Sequence, residues 1–78
     1  MIWVFERADE KLEIETVYNP DLNEYLITMK RPDGSQQTER FGHVATFRDR
    51  LERLENMLDG EHWLPNGPPA PLHEAWKI

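Results

Sequence analysis

The stretch KLEIETVYNPDLNEYLITMK, residues 11–30, decides the fold. Leu12, Ile14, Thr16 and Tyr18 alternate with Lys11, Glu13, Glu15 and Val17. That period of two sets one side of a strand in a core and the other in water. Tyr25, Ile27 and Met29 alternate in the same way with Leu26, Thr28 and Lys30. Between the runs, Asn19-Pro-Asp-Leu22 is turn chemistry, with Pro20 presetting its own φ. The two runs therefore form a β-hairpin. A four-residue loop over 19–22 sets Tyr18 against Asn23. Leu12 then lies opposite Met29, Ile14 opposite Ile27 and Thr16 opposite Tyr25, which makes one face consistently apolar.

The pattern extends in both directions. Arg31-Pro-Asp-Gly-Ser35 is a second turn, with Pro32 suited to the second position of a type I turn and Gly34 able to take a left-handed bulge. A three-residue loop pairs Arg31 with Ser35 and sets Phe41 opposite Tyr25, with Gln37 and Glu39 on the same face. A two-residue loop instead sets Phe41 opposite Leu26. Upstream, Ile2-Trp-Val-Phe5 has the β-branched and aromatic content of a strand, joined to Lys11 through Arg7-Ala-Asp-Glu10. A four-residue connection turns Trp3 and Phe5 to the core, and a three-residue one turns Ile2 and Val4 there. Either leaves an apolar pair, with Val17 and Leu26, on the far face of the sheet.

After Phe41 the period becomes helical, with Val44, Phe47, Leu51, Leu54 and Leu58 at spacings of three and four. The opposite face carries Arg48, Asp49, Arg50, Glu52, Arg53 and Glu55. Gly60 is a natural C-cap, and the start lies at His43 or at a box-like cap of Thr46 with Asp49. The stripe covers barely two heptads, too short for a coiled-coil seam, so the helix packs on its own sheet. The expected fold is α+β, a four-stranded antiparallel β-meander followed by one amphipathic helix in residues 1–60. Residues 61–78 form an extended tail packed on the domain or on a partner subunit. That tail holds four of the six prolines and two of the three tryptophans. Trp63, Leu64, Leu72, Trp76 and Ile78 are too apolar for a solvated linker and are expected to shield the far face of the sheet.

Net charge is −6, with a pI near 4.9, which opposes non-specific attraction to nucleic acid or anionic lipid. The chain has no cysteine, which removes disulfides, a thiol nucleophile and thiolate metal sites, and fits a cytoplasmic location. No stretch approaches the roughly 18 apolar residues of a membrane span. His43, His62 and His73, even with Glu61 and Glu74, match no metal-ligand spacing, and no cofactor is expected. Glu13 and Glu15 share a strand face but read as solvated carboxylates paired with Lys30 and Arg40. No phosphate-binding loop, nucleophile elbow or dinucleotide fingerprint occurs, so an enzyme is not expected.

The functional expectation is a protein-interaction or structural module, self-associating through a sheet face and the tail, with Trp3, Trp63, Leu72 and Trp76 as candidate anchors. In element order the chain resembles the four-strands-then-helix unit of the single-stranded-DNA-binding transcriptional coactivator and Whirly group. That resemblance implies an alternative, single-stranded nucleic-acid binding on the sheet, for which the residues offer Lys11, Lys30, Arg31 and Arg40 as a basic strip interrupted by Glu13 and Glu15. A small-ligand or enzyme accessory domain is the second alternative.

Overall fold

In the computed structural model, which describes residues 1–66 and 71–77, the four strands form in chain order. They are β1 (Ile2–Arg7), β2 (Glu10–Asn19), β3 (Glu24–Lys30) and β4 (Gln36–Phe41). The helix α1 (Val44–Gly60), a short β5 (Leu64–Pro65) and a 3-10 helix (Leu72–Lys77) follow. The sheet is antiparallel throughout, in the order β4-β3-β2-β1-β5. The architecture is therefore the expected α+β meander with a fifth strand added at the β1 edge. Two residues are too few to show a period, so β5 left no mark in the sequence pattern.

The two later strand pairings test the turn readings. Arg31 and Ser35 close a three-residue loop with Gly34 at φ 89°, and Tyr25 lies opposite Phe41 as that loop requires. Asp33 Oδ1 accepts the Ser35 amide at 2.8 Å, and the hydrogen bonds from Ser35 hold its carboxyl below the ordinary 3.8. The β2–β3 register differs from the expected one by two residues: Ile14 faces Met29, Thr16 faces Ile27 and Tyr18 faces Tyr25. Here the loop is 20–23, not 19–22. Asn19 Oδ1 accepts the Asp21 amide at 3.1 Å, and Asn23 takes the left-handed conformation at φ 51°. A slip of two keeps every side chain on its face.

At β1–β2 the chain turns more tightly than either expected loop, with Arg7 opposite Glu10 and Ala8 at φ 52°. The parity is that of the four-residue reading, so Trp3 and Phe5 enter the core. They join Leu12, Ile14, Ile27 and Met29, and the helical stripe Phe47, Leu51, Leu54 and Leu58 closes over them. Phe47 stacks on Tyr25 at 4.8 Å and meets Phe41 at 6.0 Å, which fixes the first turns of α1 over β3 and β4. Thr16 is the buried polar side chain of this layer, and its hydroxyl has no hydrogen-bond partner among the described residues.

The helix starts at His43, whose extended backbone caps it without a side-chain bond, while the Thr46 hydroxyl donates back to the His43 carbonyl at 2.9 Å. Gly60 is its last helical residue but not its cap, which is Glu61. The left-handed residue is His62, at φ 66°. The His62 amide donates to Asp59 O at 3.1 Å and the Trp63 amide to Leu58 O at 3.0 Å, the bond pair of a Schellman motif. This motif swings Trp63 against Leu58, and the tail then runs back beside β1. A left-handed conformation costs a residue with a Cβ roughly 1–2 kcal/mol, part of which glycine would return as chain entropy. His62→Gly is therefore expected to raise unfolding stability by about 0.5–1 kcal/mol. The check is a higher denaturant midpoint at an unchanged slope.

A candidate interaction surface

The alternation that fills the core also determines what the far face shows. Ile2 and Val4 of β1, Val17 of β2 and Leu26 of β3 project there, and Leu64 of β5 joins them because it pairs with Glu6. Leu64 is 70% exposed, Ile2 45% and Val17 42%. The middle of this face is polar and internally paired. Glu13 meets Lys30 directly opposite it at 3.5 Å, the Thr28 and Thr38 hydroxyls lie 3.0 Å apart, and Arg40 reaches Glu24 at 4.0 Å.

The tail was expected to shield this face, yet of its described apolar residues only Leu64 lies there, exposed, while Trp63, Leu72 and Ala75 go to the helix side. Asn66 binds the Val4 carbonyl through its amide at 2.7 Å and Glu6 Oε1 through its side chain at 2.9 Å. Leu72 and Ala75 of the 3-10 helix then bury themselves in the same core as the α1 stripe. The reason is the exit direction set by His62. Once Trp63 is turned inward against Leu58, Leu64 and Pro65 extend the sheet at the β1 edge, and Leu72 and Ala75 lie on the helix side. Ile78 falls outside the described residues.

The four candidate anchors are placed accordingly. Trp3, Trp63 and Leu72 meet around one hollow of about 420 Å³ between β1, α1 and the tail, and all three are core side chains. Within this chain they close the core, since an aromatic long enough to anchor a partner serves equally well to close a small domain. Arg7 holds the root of the tail, with its guanidinium 4.4 Å from the Trp63 ring and a 3.1 Å bond to the Glu61 carbonyl. Trp76 is half-buried, flanked by Arg48 at 5.4 Å and Lys77 at 5.6 Å.

Of the basic residues, Lys11, Lys30 and Arg31 line a hollow of about 330 Å³ that also holds Glu13. Arg40 lies toward the other end of the face, opposite Leu26. Lys30 pairs with Glu13 as expected, whereas Arg40 pairs with Glu24 of the adjacent strand and not with Glu15.

The histidines are dispersed along α1: His43 at its start, His62 just past its end and His73 opposite Glu55. Among the described residues no group of three or more potential ligands gathers for a metal. His73 does hold the tail. Its ring Nδ1 lies 2.6 Å from Glu55 Oε1, and its amide donates to Glu55 Oε2 at 3.1 Å. The Glu55 hydrogen bond raises the imidazole pKa above its ordinary 6.5, with the charges of Glu55, Glu74 and Glu52 adding to it and burial opposing. A value raised by folding means that the contact stabilises fully below pH 6.5 and fades as pH rises through the higher folded value. Tail docking is therefore expected to loosen on the alkaline side. Hydrogen exchange at Leu72–Lys77 should quicken there relative to α1, once intrinsic exchange is subtracted. His73→Gln should flatten that dependence, and an unflattened profile would assign it to another group.

Compared with family models, with curated proteins and with solved structures, the chain matches none.

Proposed function

We propose that this chain is a cytoplasmic protein-interaction module that binds a partner protein through the open face of its sheet. One observation carries the reading. Ile2, Val17 and Leu64 stand exposed on a face opposite the helix, and the other described apolar residues of the tail, Trp63, Leu72 and Ala75, are buried in the core instead of over them. Apolar side chains around a paired polar centre are the composition of a recognition surface rather than of a solvated one. The acidic balance of the chain favours a neutral or basic partner.

The test is a variant carrying Ile2→Lys and Val17→Lys. Both positions are exposed, so the unfolding midpoint should move little, by about 0.5 kcal/mol or less at each site. Partners captured by crosslinking from cell extract should be lost from this variant and kept by Glu52→Ala, on the outer face of α1. Equal capture by all three chains would overturn the reading. So would sub-micromolar, salt-sensitive binding of a labelled single-stranded oligonucleotide, which would give the face to Lys11, Lys30, Arg31 and Arg40.

A further inference from the structure

The two edges of the sheet are unlike. Beside β1 the edge is occupied by β5, which ends in Pro65, a residue without an amide to offer. Beyond β4 no strand lies among the described residues. Hydrogen-bond parity shows which β4 groups look outward. The Arg31 amide donates to the Ser35 carbonyl at 2.9 Å, so that pair is of the bonded type. Bonded and non-bonded pairs alternate along an antiparallel ladder. Residues 37, 39 and 41 thus bond to β3, while the main-chain groups of Gln36, Thr38 and Arg40 point away from it. The 3.0 Å approach of the Thr28 and Thr38 hydroxyls fits, because non-bonded pairs bring side chains closest.

We propose that β4 pairs antiparallel with β4 of a second copy of this chain, about a two-fold axis through Thr38 perpendicular to the sheet. Such an axis makes the central residue face itself. An axis at Glu39 or Arg40 opposes like charges, which destabilises a strand pair, and one at Gln37 runs the pairing into the turn at Gly34. At Thr38 the opposed pairs are Gln36 with Arg40, Gln37 with Glu39 and Thr38 with itself, free of like charges. Both main-chain groups of all three outward residues are then satisfied, and the Thr28–Thr38 contact continues across the axis into the second sheet. The occupant is a second copy because β4 is self-complementary in this one register. The inference does not rest on the open-face reading, although it would lay two open faces side by side in a continuous sheet. Five residue pairs bury far less than the about 1,600 Å² of a standard interface, so the dimer is weak and reversible.

The chain has no cysteine, so single cysteines report the register cleanly. Under mild oxidation Thr38→Cys is expected to form a disulfide dimer, because facing Cα atoms in a bonded pair lie about 5.5 Å apart. Gln36→Cys should not, since its own copy lies four residues away along the strand, roughly 13 Å. The wild type should sediment faster as concentration rises. Thr38→Pro should stay monomeric at every concentration with a nearly unchanged unfolding midpoint, because the amide it removes bonds nothing within the chain. If that variant folds poorly, Thr38→Arg, which sets like charges on the axis, should also abolish the concentration dependence. A wild type that remains monomeric at its highest soluble concentration overturns the proposal, as does equal crosslinking by Gln36→Cys. Loss of partner capture in the Ile2→Lys, Val17→Lys variant with the dimer intact would leave both statements standing. A monomeric wild type that still captures its partner would remove the edge pairing alone.

Discussion

Leu51→Ala is expected to lower unfolding stability by about 2–5 kcal/mol. Leu51 is fully buried at the middle of the α1 stripe, between Phe47 and Leu54, with 0% exposure. Truncation there removes the transfer free energy of the side chain and leaves a cavity that a helix pinned at both ends cannot close. Phe47 pins one end through Tyr25, and the Schellman bonds to Leu58 and Asp59 pin the other. Since a domain of this size has only a few kcal/mol to lose, the variant should be largely unfolded at moderate denaturant. Glu52→Ala, one residue along on the solvent side, should move the midpoint little. Similar shifts for the two would place the buried stripe wrongly.

Deleting the chain from Asn66 onward is the second large effect, expected to cost on the order of 2–4 kcal/mol, as for a large-to-small core change. It takes Leu72 and Ala75 out of the core and uncovers Leu58 and Trp63. It also removes the Asn66 bonds to Val4 and Glu6 and the His73 bonds to Glu55. Dye binding should rise with the exposed apolar surface. An unchanged midpoint, with tail NMR signals at random-coil shifts in the full chain, would show that the tail contributes nothing.

What the sequence revealed and what it concealed divide along physical lines. The faces of β2, β3 and α1 were legible because a period of two or of three and four records burial directly, and apolar burial is the dominant force in folding. The β2–β3 register was not, because it depends on which asparagine turns left-handed, and Asn19 and Asn23 flank the loop almost equally. Likewise Gly60 carried the stop signal while His62 performed the stop. That displacement turned Trp63 inward and left only Leu64 among the tail's described apolar residues on the far face. Open-face Val17 and Leu26 were readable as leftovers of the alternation, whereas Leu64 required knowing that β5 exists. The role of the tryptophans was not legible for a different reason. Size and apolarity mark a residue that must be buried, without saying whether its own chain or another will bury it.

Because β1 lies between β2 and β5, its two neighbours reach it at very different times during synthesis. Pairing of β1 through β4 joins strands adjacent in the chain, so each hairpin can close as soon as it is made. Trp3 and Phe5, however, receive Leu58, Trp63 and Leu72 only when residues some sixty positions later arrive. At about 5–20 residues per second, the aromatic edge of β1 stays uncovered for roughly 3–12 s after β1 has left the peptidyl-transferase centre. During that interval the growing chain is at its most adhesive, and a slow translation step between Phe41 and Trp63 would prolong it.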